Sequence, residues 1–272
     1  MADGHRERLK QQFIKTDYAG MSDHSILELL LTYAIPRRET NSIAHALIAR
    51  FGSLEGVTKA SVQELQLVDG VGESTAVMLR AVFITAQRLL MNTFYDKKGR
   101  VRLRTMEESS RYAMALFMDD KYETLRLVCL DKNFFVINTI TLGVGTLESV
   151  TVNYRKIIEQ ALNNAASSII LMHNHPIGIP LPSEDDILVY KDVQDICKSL
   201  GLDVLDYLIV GDSSVHCCRS DRVCFFPNLA SSYTMDASDL YESMSVEPCS
   251  KYNAPLEPCQ FPQGSFGKPC GE

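Results

Sequence analysis

The run Ser168-Ile169-Ile170-Leu171-Met172 carries no charge and leads straight into His173-Asn174-His175-Pro176. A short continuous apolar stretch closed by a polar, proline-containing turn predicts a buried strand. Helical spacing flanks it on both sides, over Tyr154 to Ala165 and Ser183 to Leu200. Two further strand pairs fit the same pattern. Glu123 to Leu130 and Phe134 to Leu142 join at Asp131-Lys132-Asn133, and Val204 to Val210 and Val215 to Arg219 turn at Gly211-Asp212-Ser213-Ser214. Strands alternating with helices predict an α/β sheet-and-helix domain, placed here at residues 105–227.

The residues ahead of it read differently. Ser22 opens an apolar stretch that Pro36 ends, Asn41 or Ser42 begins a run that Gly52 closes, and Ser61 with Glu64 makes a capping-box pattern. A further helix runs from Ala76 to about Leu90, so residues 1–95 are expected to form an all-α domain. Residues 96–104 contain Lys97-Lys98-Gly99-Arg100-Val101-Arg102-Leu103-Arg104 and read as a basic linker. Residues 228–272 hold half of the ten prolines, few aliphatics and no periodicity, which predicts a disordered tail containing Cys249, Cys259 and Cys270.

Residues i and i+2 of a strand face the same side, so His173 and His175 can offer two imidazoles to one ion as the strand leaves the core. Pro180 and Pro182 stiffen the loop that returns to the next helix, whose first turn carries Asp186. Two nitrogens and a carboxylate oxygen with a fourth position open to water is the ligand set of catalytic Zn²⁺. The same residues have a plainer reading. Ser183 with Asp186 is also a capping box, and Glu184, Asp185 and Asp186 complement a helix dipole.

Composition narrows the alternatives. The net charge is −7, with ten Lys and Arg against ten Asp and Glu over residues 1–95, so no broad basic surface is available for nucleic acid. The longest apolar runs fall short of the roughly 20 residues of a membrane span, and the charged opening MADGHRERLK lacks the apolar core of a secretory signal. A cytoplasmic, reducing setting without a membrane role is the expectation, and the eight cysteines, with no C-x-x-C among them, read as thiols.

The string His-x-His, seven residues, then Ser-x-x-Asp resembles the JAMM motif of the JAB/MPN metalloproteases. With Gly145-Thr146-Leu147 upstream, Ala161-Leu162-Asn163-Asn164-Ala165 on the helix and Leu205-Asp206-Tyr207-Leu208-Ile209-Val210-Gly211 downstream, residues 5–220 are similar to the RadC branch of that superfamily. The resemblance implies a zinc hydrolase cutting an amide or isopeptide bond of a protein or peptide substrate. His173, His175 and Asp186 would bind the metal, and Ser183 would hydrogen-bond the bound water or the developing oxyanion. The family name also implies a link to DNA repair. A carboxylate normally takes the water's proton in this chemistry. Ile140 stands where many RadC-like sequences place that Glu. Glu148, just past the Gly-Thr-Leu turn, is the nearest carboxylate, either a base or a hydrated turn residue. Ile177 and Tyr207 depart from the usual Ser and His.

Val68-Asp69-Gly70-Val71-Gly72-Glu73-Ser74-Thr75-Ala76 fits the helix-hairpin-helix pattern. Gly70 and Gly72 allow a tight turn whose backbone N–H groups approach a phosphate, giving sequence-independent DNA contact to which the basic linker could add. The alternative is a Gly-rich turn between packed helices, with Asp69 and Glu73 repelling phosphate. Two functions therefore stand side by side: the zinc hydrolase, and a DNA-associated binding module whose JAB/MPN-like domain holds metal but is catalytically degenerate.

Overall fold

A computed structural model describes residues 2–16, 20–36, 38–145, 153–176, 178–228 and 231–244. The chain divides into two compact units, Met1–Asn92 and Thr93–Glu272.

The first unit is all-helical: α1 (Ala2–Thr16), α2 (Asp23–Ala34), α3 (Asn41–Phe51), α4 (Leu54–Lys59), α5 (Val62–Gln66) and α6 (Glu73–Asn92). Its ends are set by local chemistry. The Ser22 and Ser53 hydroxyls accept the Ser25 and Gly56 amides, and Ser61 and Glu64 form the expected reciprocal capping box. Gly52, at φ 82°, closes α3. Leu27, Leu31, Leu47 and Leu65 are fully buried, each worth ~1.5–3 kcal/mol of transfer free energy, and form the core with Ala76 and Leu79. The Arg6 guanidinium donates to the carbonyls of Thr32, Ile35 and Arg38, tying α1 to the C-terminal end of α2. Contrary to the expectation from the apolar runs, α6 is by length and composition apolar enough to cross a membrane; 17% of that stretch is buried, with Ala76 and Leu79 in the helical core.

In the second unit the segment expected to be a linker is part of the fold. Val101 and Leu103 are buried, Val136 N–H donates to Val101 O, Leu103 N–H to Phe134 O, and the Arg100 and Arg102 guanidinia lie over the Phe135 ring at 3.9 and 5.0 Å. The charge run suggested a solvated connector; the apolar Val101 and Leu103 between its arginines anchor it instead. Helix α7 (Met106–Phe117) follows, capped by Thr105. Then come β1 (Thr124–Leu130), β2 (Val136–Val144), α8 (Tyr154–Asn163), β3 (Ser168–Asn174), α9 (Glu184–Ser199), β4 (Asp203–Val210), β5 (Ser214–Cys217), β6 (Arg222–Asn228), β7 (Ser231–Asp236) and α10 (Ala237–Met244).

The seven strands lie in the order β2-β1-β3-β4-β5-β6-β7. Only β3 and β4 are parallel, and α9 makes the crossover that a parallel pair requires. Leu125, Leu127, Ile169, Leu171, Tyr207 and Ile209 face α8 and α9, packing against Ile157, Ala161, Tyr190 and Val193. The opposite face meets α7, where the Arg126 guanidinium grips Asp120 and Leu116 O. Cys129, Cys197, Cys217, Cys218 and Cys224 are buried and form no disulfide.

Structure also continues past the boundary drawn at residue 228. Strand β7 pairs antiparallel with β6, and Ala237 and Leu240 of α10 pack on Val223, so residues 231–244 are ordered where a structureless tail was expected. The strand Ser231–Asp236 is short and polar, and it gains stability from pairing rather than from its own burial. Cys249, Cys259 and Cys270 lie outside the described residues.

Candidate metal centre

Strand β3 is buried at every residue, and its end is fixed from both sides. His173 lies opposite Leu125 of β1 and Ile209 of β4. Asn174, pointing the other way, accepts from Thr124 N–H at 2.7 Å and donates to Tyr122 O at 3.2 Å. His175 N–H donates to Val210 O at 2.7 Å, extending the parallel pairing one step past the strand. The two imidazoles stand at 82° with centroids 4.7 Å apart.

The His175 Nδ1 is 3.0 Å from Ile179 O. A carbonyl only accepts, so Nδ1 carries the proton and the Nε2 lone pair is left on the side of Asp186, whose Oδ2 is 4.0 Å away. The loop that supplies Ile179 O is held against the end of β4. A Cβ on Gly211 would meet Gly178 O at 2.7 Å and Pro180 at 3.0 Å, so only glycine permits this approach.

Asp186 sits in the first turn of α9 and is 0% exposed. Its Oδ2 accepts from the Ser183 amide at 2.9 Å and the Ser183 hydroxyl at 2.6 Å; its Oδ1 accepts from the Tyr207 hydroxyl at 2.9 Å and lies 3.0 Å from His173 Nδ1. Burial alone would push this carboxyl up. The hydrogen bond and attraction from His173, then the Ser183 hydroxyl and amide, outweigh burial and hold it at about 2. A carboxylate that is ionised at neutral pH is thus buried beside two imidazoles. The His173 Nε2 is buried and has no hydrogen-bond partner among the described residues.

One ligand atom from each of His173, His175 and Asp186 lies within 4.8 Å of the other two, so the three expected ligands converge and could hold a metal ion. Both readings of Ser183 with Asp186 meet in one geometry, since the reciprocal capping box is also what aims the carboxylate. The Ser183 hydroxyl proton is committed to Asp186 here.

The expected base is a different matter. Ile140, on β2, lies opposite Leu127 and packs on the apolar core. Glu148 falls outside the described residues. Strand register supplies another carboxylate. Glu123 immediately precedes β1 and, by alternation, shares the side of the sheet with Leu125, which is opposite His173. It is half-buried, and its charge reaches the centre: burial first, then Asp186, Cys218 and Glu123 push the Tyr207 phenol well above its usual value. Sequence reasoning missed Glu123 because its place on the His173 side of the sheet depends on pairing between β1 and β3, about fifty residues apart in the chain. Tyr207 was visible only as a departure from a family pattern, not as a partner of Asp186.

In the first unit, Gly70 adopts φ 87°, Val71 N–H donates to Val68 O, and Gly72 O accepts from Ala76 N–H at the start of α6. A Cβ on Gly70 would meet Ile43 Cδ1 at 2.7 Å, so this glycine serves the packing of the turn whatever else it does. Compared with known families, residues 103–223 match the RadC-like JAB domain.

Proposed function

We propose, from the premise that residues 103–223 form a RadC-like JAB domain, that the protein is a cytoplasmic zinc-dependent hydrolase of the JAMM type acting on an amide or isopeptide bond of a protein or peptide. The observation that carries this reading is the convergence of two imidazoles on a buried, ionised carboxylate. Ligand atoms about 2.0–2.1 Å from a tetrahedral zinc stand about 3.3 Å apart. His173 Nδ1 is 3.0 Å from Asp186 Oδ1 and His175 Nε2 is 4.0 Å from Asp186 Oδ2, one distance on each side of that value. When bound, zinc supplies Lewis acidity, bringing a water's pKa toward neutrality and polarising a substrate carbonyl.

The chain's own residues do the rest. Asp186, His173 and His175 would hold the ion. Glu123 takes a proton from the attacking water on its carboxylate and delivers it to the leaving amine. The Ser183 hydroxyl, turned from Asp186, donates to the substrate oxygen as negative charge develops there. Glu148 is the alternative base, and an activity lost in Glu148→Gln but kept in Glu123→Gln would assign it the role.

The test begins with the metal. Protein purified without chelators should hold about one zinc per chain, and the double variant H173A/H175A should hold almost none. A wild-type stoichiometry near zero overturns the reading. Hydrolysis is then followed on isopeptide-linked and simple peptide substrates, with and without chelator.

A second reading is favoured by Ile140, whose apolar packing leaves β2 without the usual base, and by the turn before α6. In it the protein associates with DNA in a repair setting, through a helix-hairpin-helix whose Gly70–Gly72 amides face phosphate, and the metal serves structure. Arg38, whose guanidinium lies 3.9 Å from the position of a Gly70 Cβ, would add a phosphate contact. A gel shift that weakens with salt and is lost in Arg38→Ala supports this reading; no shift at low salt refutes it.

A further inference from the structure

Asp186 receives its donors from two directions. Ser183 belongs to the same helix start, so its amide and hydroxyl fix Oδ2 relative to α9 alone. His173 is itself a candidate ligand, and its hydrogen bond to Oδ1 must give way when an ion shares the two atoms. The Tyr207 hydroxyl is different. It comes from β4, lies 2.9 Å from Oδ1 and 3.4 Å from His173 Nδ1, and its ring stacks toward the His173 ring at 23° with centroids 6.3 Å apart. In the sheet Tyr207 stands opposite Leu171, two residues before His173.

We infer that Tyr207 is the positioning residue of the metal centre: its hydroxyl ties the carboxylate on α9 to the sheet that carries the imidazoles and so fixes the spacing of the ligand set. The inference rests on the metal-centre reading above and adds a role for a side chain that contributes no ligand atom. Its physical basis is the usual one for metal sites, in which an outer hydrogen bond orients a ligand whose own torsions leave it free to swing. The Ser183 bonds allow Asp186 to move with its helix; packing of Tyr190 and Val193 holds the body of α9 on the sheet, and the Tyr207 hydroxyl ties the carboxylate itself to β4 through a side chain that is not a candidate ligand. The phenol is fully buried, so water cannot replace the bond once it is removed.

Tyr207→Phe deletes one atom and keeps the ring that fills the core. Cobalt(II) is the probe, because the intensity of its visible bands separates tetrahedral from six-coordinate binding, a signal that core packing does not move. Affinity comes from competition with a chromophoric chelator, and circular dichroism of the metal-free chain reports folding. The expected result is an affinity about ten-fold weaker with dimmer bands, and a metal-free melting midpoint close to wild type. Y207F with wild-type affinity and spectrum overturns the inference, whether or not its midpoint falls, and leaves the metal centre standing. A wild-type chain that takes up no cobalt overturns the centre and this role together.

Discussion

Each unit of the protein contains a reciprocal capping box, and the two put the same local chemistry to different ends. In the helical unit Ser61 and Glu64 start α5; in the sheet unit Ser183 and Asp186 start α9. Both serines accept the amide three residues on, and both carboxylates reach back to the serine N–H. Glu64 remains half-buried at its helix start. Asp186 is buried and also meets the Tyr207 hydroxyl and the His173 imidazole, from β4 and β3. A helix start alone collects one carboxylate and its amides. It becomes a candidate metal centre only where a sheet, through strand register, delivers nitrogen ligands and an outer donor to the same point.

The comparison is sharpened most by the carboxylate that register alone supplies. If β1 delivers Glu123 as the base, Glu123→Gln should lower hydrolysis by about 10²–10⁴-fold while metal content stays at the wild-type level. Assay and metal analysis on one preparation decide this, and an active E123Q returns the role to Glu148.

Glycines give the next contrast. A Cβ at Gly211 meets backbone at 2.7 Å, whereas one at Gly72 meets nothing within 4 Å. Gly211→Ala should destabilise by about 1–3 kcal/mol and weaken metal binding, because the displaced Gly178–Pro180 loop carries the carbonyl that orients His175. Gly72→Ala should cost less than about 1 kcal/mol in urea unfolding and leave metal binding unchanged. Equal effects at the two sites would remove the link between the end of β4 and His175.

The third contrast is in pH. The Asp186 carboxyl is held at about 2, below its ordinary 3.8, so its contribution is fully present above pH ~4 and is lost as pH falls through 2; the difference is about 2 kcal/mol. Asp206, on β4, runs the other way. Burial raises it to about 7 against the opposing backbone bonds from Arg219 and Tyr207, so stability declines as pH climbs from about 4 to 7. Thermal midpoints of the metal-free chain should therefore peak at pH ~4 with respect to these two groups. D186N should lose the acid limb and D206N the neutral one.

These contrasts show what was legible in the sequence. The strand over Ser168 to Met172 and the paired histidines could be read because an apolar run and a period of two are local signals. Asp186 could be read through its capping pattern, also local. Helix α7 could not, since its buried Ser109 and Ser110 interrupt the apolar spacing. Residues 231–244 were hidden because pairing with β6 and packing on Val223 stabilise them, and neither leaves a trace in composition. Glu123 and Tyr207 required the register of β1 with β3 and of β3 with β4, which no window of sequence contains.

The smallest effect bears most directly on the two boxes. Ser61→Ala and Ser183→Ala each remove one cap acceptor, and each should cost about 1 kcal/mol in chemical unfolding of the metal-free chain. In the helical unit the consequence should end there. In the sheet unit Ser183 also donates to Asp186 Oδ2 at 2.6 Å, so its loss frees a ligand oxygen as well as a helix amide. S183A should then bind zinc about ten-fold more weakly, while S61A binds it as wild type does. Chelator competition on both variants separates the outcomes. If S183A loses stability but keeps full zinc affinity, its box does no more than the one at Ser61, and the burden of placing Asp186 falls wholly on Tyr207.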